Sequence, residues 1–304
     1  MSNPVRGLVP VLATPFHPDG SLDRGSLRRL TEFQLRAGAD GVAVFGMASE
    51  GFALTAADRA EILQDVTTVV AGAVPVVAGV SPTSLATALE QVEQAAAGGA
   101  SALMVLPPYL AKPSPQQLVD FYGTIGERAG LSVMVQDAGA TTGVAMPVPL
   151  LTEFGKLAGV DSVKVETAPT APKIGATVAA APEGFEVLGG QNAFFLLEEL
   201  AAGAVGTMPA CEFTDMLRPL LDDWSAGRAE DAHAAFDRLL PLIRFGMQPG
   251  LAWAVHKEVL VSRGIIRSAA VRMPAQPAGD AVRTQLEGIV RRLGLSTAVV
   301  GSQR

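Results

Sequence analysis

A chain of 304 residues with a formal net charge of −7, 49% hydrophobic and 17% charged residues can bury a large core and lacks the basic face that nucleic acid would require. Its one cysteine, Cys211, excludes an internal disulfide and fits a reducing, cytoplasmic setting. No apolar run is long enough to span a bilayer, since Ala95 to Leu106 is broken by Gly98 and Gly99, and the opening Met-Ser-Asn-Pro-Val-Arg carries no signal-peptide core.

Strand and helix signals then alternate along the chain. Leu8 to Ala13 is an apolar run, closed by the turn Pro18-Asp19-Gly20, and Leu22 to Ala37 sets Leu27, Leu30, Phe33 and Leu35 among charged residues as an amphipathic helix ended by Gly38. Gly41 to Phe45 is the second run, after which Thr55-Ala-Ala-Asp58 has the form of a capping box opening a helix to about Ala71. Pro75 to Val80 is the third run, followed by a helix from Ser84 to Ala97 that Gly98-Gly99 stops. Ala102 to Leu106 is the fourth, with a Pro107-Pro108-Tyr109 loop and a helix from Ser114. Ser132 to Gln136 is the fifth, with a helix over Pro147 to Leu157. Val160 to Glu166 is the sixth, Phe185 to Leu188 the seventh with a helix over Ala193 to Ala201, and Ala204 to Met208 the eighth.

These runs are spaced by roughly 20 to 35 residues and are nearly continuous in apolar character, as expected of parallel strands covered on both faces. Eight such units in just over 200 residues fit a closed (β/α)₈ barrel, an α/β TIM barrel, better than an open doubly wound sheet. No GxGxxG follows the first strand, so no dinucleotide is expected, nor any other cofactor. Beyond about Leu217 only helical patterns remain: Asp215 to Ala226, Arg228 to Phe245, Leu251 to Arg263 and Val282 to Leu293. The expected organisation is a barrel over residues 1–217 and a helical appendage packed on it over 218–304, with a tail that frays from Gly301.

The residue around which this pattern is organised is Lys164, set between Val163 and Val165 in the sixth run. Pointed at water, such a lysine is an ordinary surface charge. Pointed into a closed, largely apolar site, a lysine loses the hydration of its ammonium, and the neutral amine so released attacks ketones to form Schiff bases. Barrels carry their chemistry at the C-terminal ends of the strands, where Lys164 falls. At the same rim the turn Gly46-Met47-Ala48-Ser49-Glu50-Gly51 offers backbone N–H groups to a carboxylate, the fifth run ends in Gln136-Asp137, and the seventh ends in Gly189-Gly190-Gln191-Asn192, where glycine permits close approach. An amine, a carboxylate-binding turn and nearby polar groups suit Schiff-base chemistry on a 2-keto acid: the imine at C2 becomes an electron sink for C3, and cleavage, addition or loss of a hydroxyl follows. His17, His233 and His256 show no pairing or metal spacing, so neither a metal site nor a catalytic role for Cys211 is expected.

Thr14-Pro15-Phe16, Gly46 to Glu50, Pro107-Pro108-Tyr109, Lys164 within Val-Lys-Val-Glu, and Gly189-Gly190 occur in the order and on the elements of one known family. Over nearly its whole length the chain resembles the dihydrodipicolinate synthase / N-acetylneuraminate lyase family. The resemblance implies a (β/α)₈ barrel with C-terminal helices, Lys164 as the Schiff-base lysine, and a homo-oligomer, a tetramer built from dimers or a dimer. It also exposes departures. The family's catalytic tyrosine ends strand five in a Tyr-Asn-x-Pro segment that here reads Gln136-Asp137-Ala138-Gly139, and Met47 and Ala48 replace the synthase's paired threonines. Ser49 replaces the glycine before Glu50, Leu110 the second tyrosine of Pro-Tyr-Tyr, and Thr141 falls near the arginine that holds the aldehyde substrate.

An amide does not transfer protons as a phenol does, so the synthase's relay is missing and Asp137, Glu50, Ser49 or a water must move protons, with Gln136 beside them. Val-Gln-Asp and Gly206-Thr207-Met208-Pro209 are more similar to the family's dehydratases of 2-keto-3-deoxy sugar acids, and Met208 falls where the family packs a small apolar group near the keto acid. The expected function is a class I lyase on pyruvate or a longer 2-keto acid, with a dehydratase as the alternative and a keto-acid-binding barrel without turnover as the reading from another class. Lys164, Asp137 and Gln136 are the expected catalytic residues, and Ala48, Ser49, Glu50, Gly190 and Met208 the expected substrate contacts.

Overall fold

The structure, a computed structural model, describes residues 5–295. The tail from Gly301 lies outside the described residues. Eight strands alternate with helices: β1 (Gly7–Leu8), α1 (Arg24–Arg36), β2 (Val42–Val44), α2 (Ala56–Val70), β3 (Val76–Val80), α3 (Leu85–Ala97), β4 (Ala102–Val105), α4 (Pro115–Ala129) and β5 (Ser132–Asp137). There follow α5 (Gly139–Thr142), α6 (Val148–Phe154), β6 (Val160–Val165), α7 (Thr170–Ala180), β7 (Glu186–Gly189), α8 (Leu196–Ala201) and β8 (Gly206–Thr207). Four more helices, α9 (Thr214–Ser225), α10 (Ala229–Phe245), α11 (Ala252–Ser262) and α12 (Asp280–Leu293), complete the chain.

All ladders are parallel, in the order β1-β8-β7-β6-β5-β4-β3-β2. The ring closes through Val11, which bridges Ala43 in β2 and Ala210 just after β8. Proline at position 10 has no N–H to give a ladder, which is why the first run yields a two-residue strand and a separate bridge rather than the full Leu8–Ala13. The (β/α)₈ barrel with C-terminal helices expected from the sequence is the architecture observed.

Side chains sort by strand parity. Val9, Val11, Ala43, Val77, Met104, Met134, Leu188 and Met208 fill the barrel's interior, while Val133, Val135, Val163, Val165 and Val187 face the helical layer. The capping box at Thr55 is formed on both sides, with Thr55 N–H donating to Asp58 Oδ2 at 2.9 Å and Asp58 N–H donating to Thr55 Oγ1 at 3.1 Å. Helix α7 was not legible. It opens through Pro172 and carries Gly175 among small residues, so Ile174 is the one large aliphatic side chain it buries.

The C-terminal helices are not a separate body. α9 runs through position 217, the expected boundary, and its Leu217 and Leu220 share one apolar cluster with Leu8 of β1 and Leu196 and Leu197 of α8. After α11 the chain returns across the barrel mouth, where Arg272 donates from its backbone to Glu50 Oε2 at 2.8 Å and from its guanidinium to Gly20 O and Asp58. No helix among the described residues is long and apolar enough to cross a membrane.

Candidate active site

The C-terminal rim of the barrel and the start of α11 enclose a cavity of about 490 Å³. Its floor holds Lys164, Glu166, Ala48 and Met208, and its roof runs from Gly246 through Trp253 to His256. Lys164 occupies an inward position of β6, in register with Gln136 on one side and Leu188 on the other, and is 4% exposed. Its Nζ stands 3.1 Å from Glu166 Oε1. Gln136, also inward, donates from Nε2 to Glu166 Oε2 at 2.6 Å, and Gln191 donates to the Glu166 carbonyl. The carboxylate is thus fixed at both oxygens, one by an amide and one by the amine.

Gly190 makes room for this pair. A Cβ there would lie 2.5 Å from Glu166 Cγ and 2.9 Å from Lys164 Cε. The next three residues, Gln191, Asn192 and Ala193, take positive φ angles of 46°, 57° and 61°, a conformation that costs about 1–3 kcal/mol per residue and marks functional turns. Asn192 Oδ1 is held by Ala210 N–H at 2.9 Å, so the amide is presented to the cavity in one orientation.

In the turn after β2, Ser49 N–H and Glu50 N–H donate to the carbonyls of Gly46 and Met47 at 3.0 Å each. Among the described residues, the N–H groups of Gly46, Met47 and Ala48 are the turn's donors not committed within it, and Met47 and Ala48 line the cavity. Trp253 Nε1 donates to Met47 O at 2.6 Å and its ring meets Phe52 edge-on at 5.1 Å, which pins the turn to the roof.

Several expected site residues are placed elsewhere. Asp137 follows Gln136 on the strand, so its side chain faces the helices, where it pairs with Lys173 of α7 at 2.5 Å and accepts from Thr167 Oγ1 at 2.9 Å. Burial raises its carboxyl above the usual range, with Lys173 and Thr167 acting against the shift. Glu50 is ion-paired with Lys257 of α11, both fully buried. Burial lowers the Lys257 ammonium and the Glu50 charge raises it again. Ser49 is buried beneath the turn and does not line the cavity. Lys164, Gln136, Ala48, Gly190 and Met208 are therefore the expected residues that the fold gathers at the cavity or in its wall. Glu166 is not among the expected site residues, yet it stands two residues beyond Lys164 and so on the same face by strand parity. The roof residues gave no signal because they lie in the appendage. The Cys211 thiol is fully buried and pushed up to about 12 by that burial, which leaves it inert.

The family model for dihydrodipicolinate synthetases matches residues 4–293. The chain belongs to the dihydrodipicolinate synthetase family. It is 33% identical over 294 residues to an L-2-keto-3-deoxyarabonate dehydratase of Azospirillum brasilense, covering 95% of this chain and 94% of that one. It is 29% identical over 302 residues to a 4-hydroxy-tetrahydrodipicolinate synthase of Acidobacterium capsulatum, covering 96% and 97%. The crystal structure of a dihydrodipicolinate synthase from Rhodopseudomonas palustris superposes with a TM-score of 0.90 at 28% identity, over 96% of this chain and 99% of that one. The chain is accordingly a lyase of the dihydrodipicolinate synthetase family, a Schiff-base barrel that takes pyruvate or another 2-keto acid.

Proposed function

We propose that the chain dehydrates a 2-keto-3-deoxy sugar acid through an imine on Lys164. The observation that carries this reading is the carboxylate of Glu166, held by Gln136 at 2.6 Å and standing 3.1 Å from Lys164 Nζ. It supplies a proton acceptor beside the amine in a site whose strand-five tyrosine is absent. A cavity of about 490 Å³ is also far larger than a three-carbon acid fills, and Gln191, Asn192 and Gln248 offer it hydroxyl-binding amides. The dehydratase from Azospirillum brasilense adds support through its name and its 33% identity.

Lys164 Nζ attacks C2 of the keto acid, and water leaves as the imine forms. The substrate carboxylate is received by the N–H groups of Met47 and Ala48, and Met208 packs against its apolar side. Glu166 takes a proton from C3, and the electrons flow into the protonated imine to give an enamine. The enamine expels the hydroxyl one carbon further on, and water then releases the product from Lys164. Asp137 stands behind the strand as a support, joined to Lys173, and Glu50 holds the turn to the appendage.

We also propose that the chain assembles as a homo-oligomer, dimer or tetramer, the form the family resemblance implies, and sedimentation velocity reads it. The function itself is tested by incubating the purified chain with 2-keto-3-deoxy-L-arabonate. Loss of the substrate without release of pyruvate is the expected result. Stoichiometric release of pyruvate would make the chain an aldolase instead.

A further inference from the structure

Of the side chains lining the cavity among the described residues, three can titrate: Lys164, Glu166 and His256. The first two are used on C2 and C3. Expulsion of a hydroxyl needs a proton at the far side of the reacting carbons, because hydroxide is a poor leaving group. Asp137, Glu50 and Ser49 cannot deliver it, the first being turned to the helices, the second locked to Lys257 and the third buried under its turn.

His256 sits on α11 at the roof, 4% exposed, with Nδ1 2.6 Å from Glu212 Oε1. Glu212 is fully buried just after β8, and its other oxygen, Oε2, has no hydrogen-bond partner among the described residues. A buried carboxylate with one side-chain partner is costly to keep, so the pairing carries more than filler packing would require. The carboxylate fixes which ring nitrogen bears its hydrogen: Nδ1–H faces Glu212, and Nε2, which has no hydrogen-bond partner among the described residues, is left to exchange a proton with whatever occupies the cavity. The surroundings are cut to fit the ring. A Cβ at Gly246 would lie 2.8 Å from His256 Cε1 and 3.3 Å from Asn192 Nδ2, so glycine there lets the imidazole and the strained Asn192 stand side by side.

We propose that His256, oriented by Glu212, is the group that protonates the departing hydroxyl. This rests on the dehydratase reading. In the step, Glu166 removes the C3 proton and the imine becomes an enamine. The enamine electrons return to form the C3–C4 double bond, the C4–O bond breaks with its electron pair, and Nε2–H of the doubly protonated ring gives its proton to that oxygen, which leaves as water. The protonated Glu166 and the neutral ring then exchange a proton through solvent, which restores both. His256 thereby takes the place of the missing phenol as proton carrier, from the roof instead of from strand five. Glu212 is a positioning residue that acts through the ring.

The test uses the full-length chain with 2-keto-3-deoxy-L-arabonate as substrate, and pyruvate with borohydride as an independent check of the Lys164 imine. His256→Gln is expected to lower kcat by about 100-fold or more while trapping pyruvate on Lys164 as wild type does. Glu212→Gln is expected to lower kcat by about 10-fold with little change in KM. Added imidazole is expected to restore part of the turnover of His256→Ala and none of that of Lys164→Ala. Turnover by His256→Gln within about threefold of wild type overturns the role of His256 and leaves the dehydratase reading standing. So does joint loss of turnover and of pyruvate trapping in both histidine variants with no response to imidazole, since the ring then serves only the frame. A wild-type chain that traps pyruvate but dehydrates no 2-keto-3-deoxy acid overturns the dehydratase reading, and the proton-donor role falls with it.

Discussion

Gly190 stands so close to Glu166 that a Cβ placed on it would lie 2.5 Å from the carboxylate's Cγ, and 2.9 Å from Lys164 Cε. Its φ of −146° is not left-handed, and the close approach shows that the position requires the absence of a side chain. A methyl group there must push the amine, the carboxylate or both.

Gly190→Ala is therefore expected to leave the fold intact and to lower kcat by about 100-fold, the scale of a misplacement near 1 Å at the reacting atoms. Steady-state kinetics with a circular dichroism spectrum as the control for folding checks this. A variant as active as wild type would mean that the Lys164–Glu166 arrangement is not the reacting one.

Removing the amide that holds Glu166 has a milder consequence. Gln136→Leu keeps the volume of the strand-five position but deletes the 2.6 Å bond to Glu166 Oε2. The expected outcome is a fall in kcat of about 10- to 100-fold, with KM changed less, as for other outer-shell partners of a reacting group. Initial-rate measurements over a range of substrate concentrations separate the two.

The buried pair between Glu50 and Lys257 predicts an effect on stability, not on chemistry. Lys257→Met leaves the Glu50 carboxylate in the interior with the Arg272 backbone N–H as its remaining contact, at a cost of about 3–5 kcal/mol. Urea denaturation reads this directly. Unchanged stability would return Glu50 to the list of groups free to meet a substrate.

Glu199 on α8 gives the pH dependence a sign. Burial, with the charges of Glu166 and Glu198 adding to it and Thr170 and Lys164 opposing it, pushes its carboxyl from the usual 4.5 up to about 7. Between those values the folded chain holds a proton that the unfolded chain has lost, so this group favours folding below pH 4.5 and loses that contribution as pH rises through about 7. The loss amounts to about 3 kcal/mol. Glu199→Gln cannot ionise, so its stability relative to wild type should rise by about that amount between pH 5 and pH 8 in paired denaturation curves. A constant difference across that range would show that Glu199 does not titrate there.

The sequence carried the barrel because each βα unit declares itself locally, through an apolar run, a cap such as Thr55-Asp58 and a stop such as Gly98-Gly99. Lys164 was legible for the same reason, as a charge set in an apolar strand. What was not legible depends on parity and on distance along the chain. Gln136 and Asp137 look equally available until strand register turns one inward and the other toward Lys173. Glu50 looks like part of a ligand-binding turn until the appendage supplies Lys257 and Arg272, the latter 222 residues further along. The roof, with Trp253 and His256, belongs to α11, whose local pattern says only that it is a helix. Helix α7 lacked the apolar stripe that makes such segments readable.

Borohydride trapping tests the central claim most directly. The wild-type chain is mixed with pyruvate, reduced, digested and mapped by mass spectrometry. A single reduced adduct on the peptide carrying Lys164, absent from Lys164→Ala, is the result this account predicts. No adduct on the wild type, or an equal adduct on the Lys164→Ala chain, would contradict it.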